Sequence, residues 1–365
     1  MITNSHNLAL IGTPMGKLFI GSGTSLIPAI VTKEIIDKKR FNADYNTWVG
    51  VLDDNGKLNY ETDPSEIIFT GVKDIGDWAL TNKFCYKKSM PISVSFPNLE
   101  VISGENALNY AFYQSGITYV DFGNLTEISG DFAMASCFTD CAGLTFISFP
   151  NLTSISGKSG CHSMLSGCSN ITDVDLRRVT YVSGESSMDS MFSGNNALTK
   201  VNLNSLKSVT NTTSSTVNAM QQTFKNCSNL TSIRFPSLVE ISGQAFGSSS
   251  SNNIFDSCSK LHQIHFRIDA ENTIKSLDRY ADKWGATNAT IYFDLVGTIT
   301  VDGINYERDE YNSLYDGTTE THVAWKDSNG NTIYTIYVDG SEPDIGTEVY
   351  ADAGLTQIGT ISAIA

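Results

Sequence analysis

Long apolar runs are missing from this chain of 365 residues. No stretch approaches 18 consecutive apolar residues, so no membrane-spanning helix is expected. Basic residues are scarce: 24 Lys and Arg stand against 39 Asp and Glu, for a formal net charge of −15. That balance disfavours a phosphate backbone as partner, and no nucleic acid is expected. The excess acid serves solubility. There is no CxxC pair among the seven cysteines. Cys137 and Cys141 are four apart, but no second pair with His ligands follows, and His162, His262 and His265 are scattered. Zinc is therefore not expected, nor any other metal or cofactor. An odd cysteine count also argues against a full disulfide framework. No heptad pattern is present, so no coiled-coil assembly is expected, although a homo-oligomer remains compatible with the sequence.

What the chain does contain is one short pattern repeated. Its clearest copy runs from Phe224 through Cys227, Leu230, Ile233, Phe235, Leu238 and Ile241 to Gly243. Copies begin at Val72, Leu99, Leu125, Leu152, Val179, Leu206 and Leu238, spaced by 27, 26, 27, 27, 27 and 32 residues. Each has the skeleton L-x-x-I, then F-x-x-C, then L-x-x-I-x-F; Leu144/Ile147/Phe149 and Leu261/Ile264/Phe266 are examples of the last element. A period in the twenties with L-x-x-I-x-F is the mark of a leucine-rich solenoid. Alternate residues of each short strand point inward, and one coil buries that face only by stacking on its neighbours. The expected fold is mainly β: a solenoid of about seven coils, an N-terminal β attachment region and a small C-terminal β module. Cys141, Cys168, Cys227 and Cys258 share one repeat position, taken by Asn195 and Ser115 in other coils. A position open to Cys, Asn and Ser reads as a small buried site facing a turn, hence a ladder of reduced thiols.

The phrases Cys227-Ser-Asn-Leu230-Thr-Ser-Ile233 and Phe149-Pro-Asn-Leu152-Thr-Ser-Ile155 resemble the BspA-type, or Treponema-type, leucine-rich repeat. The resemblance covers residues 72–268 and implies surface recognition, as in adhesins, rather than catalysis. It carries no functional residue with it.

Four regions are expected: 1–71 for attachment and capping, 72–268 for the solenoid, 269–320 for a capping helix and strands, and 321–365 for a small β module. Residues 1–40 lack the basic n-region and continuous apolar h-region of a secretory signal, so short strands are expected there. They resemble the leader segments of phage structural proteins. Asn55-Gly56 between apolar runs predicts a hairpin over 47–61. Ile274, Leu277, Tyr280 and Ala281 predict a helix over 269–283, stopped by Gly285. From Thr321 on, alternating strands and turns predict a module resembling the C-terminal modules of gut-bacterial and prophage surface proteins. Asp327, Asn329 and Asn331 have a hint of calcium-loop spacing but lack the bidentate Glu, so a plain turn is expected.

The outward residues of the repeat strands make the candidate ligand face: Tyr119, Asp121, Phe146, Asp173, Asp175, Lys200, Arg234 and His265. Aromatics beside carboxylates suit a sugar ring or a protein. Asp173 and Asp175 are near enough for paired carboxylate chemistry, but a general acid needs burial to raise its pKa. Lys200 on the next coil is expected to hold both ionised, so no enzyme is expected. Ser/Thr/Asn runs at Val209–Asn218 and Gly247–Asn253 lengthen two coils on one face.

The expected role is a virion surface protein, a head or tail fibre or a decoration protein. The N-terminal region would meet other virion proteins and the solenoid a host surface protein or glycan. The alternatives are a bacterial BspA-like adhesin, at the cell surface or secreted, and a carbohydrate-active enzyme using Asp173 and Asp175.

Overall fold

The computed structural model describes residues 29–30, 35–36, 66–69, 71–86, 93–210, 219–241, 245–246, 252–268, 284–315, 320–338, 342–352 and 356–365. The hairpin expected over 47–61 and the helix expected over 269–283 lie outside them, as do residues 211–218 and 247–251 of the two insertions.

Two parallel ladders run the length of the stack. The first is made by the L-x-x-I elements. It has eight strands, ordered in sequence from Ile35–Ile36 through Asp74–Ile75, Val101–Ile102, Glu127–Ile128, Ser154–Ile155, Tyr181–Val182 and Ser208–Val209 to Glu240–Ile241. The second is made by the L-x-x-I-x-F elements and falls into three segments. Ala29–Ile30, Glu66–Ile68, Ser93–Ser95 and Tyr119–Asp121 form one; Phe146–Ser148, Asp173–Asp175 and Lys200–Asn202 the next; Ser232–Phe235, Gln263–Arg267 and Thr290–Leu295 the last. Parallel pairing starts at Ala29↔Ile67 and ends at Arg267↔Leu295, so the stack extends to both sides of the repeat at 72–268.

Inside, identical positions stack on one another. Phe69, Phe96, Phe122 and Phe149 form a column of parallel rings with centroids 4.5, 5.6 and 5.2 Å apart. Phe84, Phe112 and Phe138 form a second, at 5.1 and 5.3 Å. Leu99, Ile102, Leu125, Ile128, Leu152 and Ile155 are fully buried beside them. Each such side chain contributes roughly 1.5–3 kcal/mol on burial, but only once the coils above and below are present.

Among the described residues, the third side of the coils carries no helix. From Asn106 to Gln114 the backbone N–H groups alternate. Asn106, Leu108, Tyr110 and Phe112 donate to the next coil, at Asp131, Ala133, Ala135 and Cys137, over 2.6–3.0 Å. Asn109, Ala111 and Tyr113 fold back onto carbonyls three residues earlier. Every fourth residue (Asn106, Tyr110, Gln114) has φ of +52 to +55°. That left-handed step stops a helix and sets up the next turn.

The Ile-Ser-Gly signature has a steric cause. A Cβ built on Gly157 would lie 2.1 Å from the Gly130 carbonyl oxygen, and one on Gly130 the same distance from that of Gly104. The coils meet backbone to backbone along this glycine column.

A second unit follows. Thr298–Val301, Ile304–Tyr315, Glu320–Lys326, Thr332–Val338, Glu348–Tyr350, Gln357–Thr360 and Ala363–Ile364 form one antiparallel sheet. Its two edge strands are joined by Ile361 and Ser362 alone, so the sheet curls back as a half-barrel. Val296, Ile299, Val301, Val323, Trp325, Ile333, Val349 and Ile361 form its own core. The buried Trp325 indole donates to Thr335 Oγ1 at 2.8 Å, which satisfies its polar atom.

Candidate binding faces of the solenoid

The strand face presents two rows. In the first, Ser93 is opposite Tyr119, and Phe146 is opposite Asp173, which is opposite Lys200. In the second, Ser95 is opposite Asp121, Ser148 opposite Asp175, and Asp175 opposite Asn202. Further along, Arg234 is opposite His265, and His265 opposite Tyr292. The eight expected residues therefore all lie on this face, but they are not equivalent.

The second row is built into the turns. Asp121 Oδ1 accepts the Gly123 N–H at 2.9 Å, and its Oδ2 accepts the Ser95 hydroxyl at 3.1 Å. Asp175 Oδ1 accepts the Arg177 N–H, and Asn202 Oδ1 the Asn204 N–H, both at 3.2 Å. This is an Asx turn repeated at coil ends, and it explains why Asp and Asn recur at that register. The Arg177 side chain closes on Asp175 with Nε and Nη2 at 2.8–3.0 Å from the carboxylate. Lys200 is opposite Asp173, and Asp175 is opposite Asn202, so the two carboxylates have different surroundings. The Asp175 carboxylate is therefore held in a charge-assisted pair with Arg177.

Two more candidates have partners of their own. Arg234 meets the Glu342 carboxylate of the half-barrel. His265 Nδ1 lies 2.9 Å from Asp294 Oδ1, and its ring stacks on Tyr292 at 4.8 Å. Left outward in the first row are Tyr119 and Phe146, 40% and 46% exposed, followed by Asp173 and Lys200.

The turn face holds a cluster that the sequence reading passed over. Its left-handed positions form a grid across coils. Trp78, Asn106, Phe132, Ser159 and Ser186 occupy one row; Asn82, Tyr110, Ser136, Ser163 and Ser190 the next; Tyr86, Gln114, Asp140, Gly167 and Gly194 the third. Toward the N-terminal end the grid holds aromatics and amides; further along it holds Ser and Gly, and then Gln222 and Asn226. Trp78, Tyr86, Tyr110 and Phe132 are all exposed. Tyr113 packs edge-on against both Tyr86 and Tyr110 at 5.4 Å. The available signal was an aromatic before a buried Ala: Trp78-Ala79, Tyr110-Ala111, Phe132-Ala133. Elsewhere on this face the Ser190 hydroxyl bonds Asp189 Oδ1 at 2.7 Å, while His162 Nδ1 is 3.9 Å from Asp189 Oδ2. Burial raises the Asp189 pKa, opposed by the Ser190 hydrogen bond and by His162. Because the serine is bonded to the aspartate and not to the histidine, no nucleophile–base relay is formed.

Among the described residues no group of His, Cys, Asp and Glu is arranged to hold a metal ion, and no helix is long and apolar enough to cross a membrane.

Residues 107–254 and 205–281 match the family model described as BspA type leucine rich repeat region, in six copies. No curated protein matches the chain. Among solved structures, a leucine rich repeat protein of T. pallidum (TpLRR) is 16% identical, over 49% of this chain and 86% of its own, with a TM-score of 0.28. The parallel stack is a leucine-rich-repeat solenoid, and its residues 107–281 carry repeats of the BspA type.

Proposed function

We propose that this leucine-rich solenoid is a non-enzymatic adhesin, displayed on a surface and recognising a host or mucosal surface component. One observation carries the reading. Coil stacking lays out outward rows, and two of the carboxylates within them, Asp175 and Asp121, are bonded to Arg177, Gly123 and Ser95, while Asp173 stands opposite Lys200. Such a face suits extended contact rather than turnover. The repeat match favours a bacterial cell surface as the carrier. A virion surface, with the N-terminal region meeting other virion proteins, is the second reading; it draws on the likeness of both terminal regions to phage and prophage segments.

The test is binding of the purified full chain to mucin-coated and host-cell-coated surfaces. Saturable binding supports the adhesin, and its absence ends that reading. Mass spectrometry of density-purified phage particles beside washed cell envelopes then decides the carrier. Enrichment in the envelope supports the bacterial adhesin, and enrichment with particles supports the virion protein.

A further inference from the structure

We infer that the N-terminal turn face, built from Trp78, Tyr86, Tyr110, Tyr113 and Phe132, is a platform for a neutral glycan chain. The inference rests on the adhesin reading and names its ligand class and its face, which is not the strand face.

Three observations lead there. The first is conformational. Trp78, Tyr86, Tyr110 and Phe132 sit at φ of +54 to +61°. Bulky residues rarely adopt that region, which disfavours a Cβ-bearing residue. The same grid positions further along hold Ser159, Ser163, Ser186, Gly167 and Gly194, so the coil does not need aromatics there. All four are also exposed, so core packing does not explain them. Tyr86 and Tyr110 meet Tyr113 edge-on, but strain kept at exposed positions outside the core points to a role in contact.

The second is the interleaving. Asn82, Asn106 and Gln114 fill the grid positions between the aromatics, with Asn109 beside Tyr110. Asn109 Nδ2 donates to Asn106 Oδ1 at 2.6 Å, while the Asn109 Oδ1 acceptor is buried and unpartnered. Gln114 Nε2 donates to the Tyr113 hydroxyl at 3.2 Å and to Asp140 Oδ2 at 3.1 Å. Side-chain amides both donate and accept. A sugar hydroxyl does the same, and a pyranose ring has an apolar C–H face that lies flat on an aromatic. These amides already bond one another, Glu105, Tyr113 and Asp140, and an acyl chain or apolar peptide would make no use of their remaining donor and acceptor capacity.

The third is charge. Asp77, Glu105, Asp131 and Asp140 flank the cluster, with Lys83 and Lys158 as nearby cations, so carboxylates outnumber them. That field repels anionic glycans and anionic lipid surfaces, so the complementary ligand is uncharged. Coils repeat about every 4.8 Å, so Trp78 and Phe132, two coils apart in one row, stand roughly 10 Å apart with Asn106 between them.

The experiment is native affinity electrophoresis of the full chain in gels containing galactomannan, mixed-linkage β-glucan or hydroxyethylcellulose, with polygalacturonate as the anionic control. A combined Trp78→Ser, Tyr110→Ser and Phe132→Ser variant uses the residue that the later coils already place at these positions, so it is expected to fold. Its circular dichroism and melting temperature are read alongside. The expected result is retardation by at least one neutral polymer, none by polygalacturonate, and a loss of at least roughly tenfold in affinity in the triple variant. A Tyr119→Ser/Phe146→Ser variant should keep the retardation. Retardation unchanged in a folded triple variant, or lost instead in the strand-face variant, overturns the assignment of the face. Binding to mucin-coated or host-cell surfaces without retardation by any neutral polymer overturns the glycan class and leaves the adhesin standing. Absence of both overturns the two together.

Discussion

Glu342 Oε2 accepts a hydrogen bond from Arg308 Nη1 at 2.7 Å, within the junction between solenoid and half-barrel. The other carboxylate oxygen meets Arg234 of the repeat strand, 108 residues away in sequence. The Val296 N–H donates to Glu342 Oε2 at 3.0 Å, and Arg308 Nη1 returns a bond to the Val296 carbonyl at 3.2 Å. The linker, both units and two cations thus converge on one carboxylate.

Removing that carboxylate leaves the Arg308 side chain, 4% exposed, without its counter-ion. Glu342→Ala is expected to cost about 3 kcal/mol, in the range for breaking a buried pair from one side. Arg234→Ala should cost no more than about 1 kcal/mol, because that partner is 37% exposed and screened. Calorimetry of the two variants checks the asymmetry. Equal losses would mean that the junction is held by something other than the buried pair.

The glycine column sets a second expectation. Gly157→Ala would place a Cβ against a backbone oxygen of the neighbouring coil, where no side chain can swing aside. Either the coils separate or the strands shift, at about 3 kcal/mol, at the upper end for overpacking. Loss of stability in urea should be large, and two-state cooperativity should fall because the stack is cut in its middle. A near-neutral Gly157→Ala would refute this close approach.

The repeat was legible because coil packing imposes period on sequence. Phe96, Phe122 and Phe149 recur for the same reason that their rings stack. The ends were less legible. Ala29–Ile30 and Thr290–Leu295 join the ladders without the L-x-x-I-x-F spelling, since a terminal strand has only one neighbour to match. The strand-face residues were found by alternation, but alternation does not say which of them has a structural role. Asp121 and Asp175 looked like ligand groups and are turn acceptors. Arg234 looked free because its partner, Glu342, lies in another unit. The turn-face aromatics lie off the strands altogether, where alternation gives no guide; the aromatic–Ala pairs Trp78-Ala79 and Tyr110-Ala111 hint at them, and the φ values set them apart.

The thiol ladder predicts both reactivity and an alkaline limit. Cys141, Cys168 and Cys258 donate to the carbonyls of Phe112, Phe138 and Phe224 at 2.9–3.0 Å. All seven cysteines are free, and only Cys85 is partly exposed. A thiol reagent should therefore label one site in the native protein and seven after denaturation. Burial pushes Cys258 up to about 12 and raises Cys137, Cys141, Cys161, Cys168 and Cys227 as well. The unfolded thiols ionise near 8.5 while the folded ones stay protonated, so unfolding releases protons above that pH. The contribution is intact below about pH 8.5 and is lost as pH rises toward 12, by about 1.4 kcal/mol per thiol per pH unit within its window. Melting temperature against pH should fall steeply above 9, and a flat profile to pH 11 would contradict buried, protonated thiols.

Asp327 behaves oppositely. Its carboxylate accepts the side-chain amide of Asn331 at 2.7 Å and the backbone N–H groups of Asn329 and Asn331 at 2.8–2.9 Å. The Asn331 side-chain bond, followed by the backbone bonds, lowers its pKa. A depressed acid contributes stability that is present above the unfolded value near 3.9 and lost as pH falls through the folded one. Acid should loosen this turn below about pH 4. Chelators at neutral pH should leave the melting temperature unchanged, because these protein donors already fill the carboxylate. A chelator-induced drop would reinstate a calcium loop.

Asn195 is the one polar amide in the cysteine column, and it is fully buried with both its amide atoms unpartnered. The slot is made for one donor: in neighbouring coils Cys168 and Cys227 each give a single S–H to a carbonyl of the coil before. An amide brings two donor hydrogens and an acceptor to that slot, and burying them unmet costs about 1–3 kcal/mol. Asn195→Cys replaces them with a small apolar group whose thiol can reach the Leu165 carbonyl, the position equivalent to Phe138 for Cys168. The urea midpoint of Asn195→Cys should rise with no change in slope, and labelling should still find only Cys85 in the native state. A midpoint that falls would mean that the amide is satisfied by ordered water, and that the column is interrupted there for a structural reason rather than by tolerance.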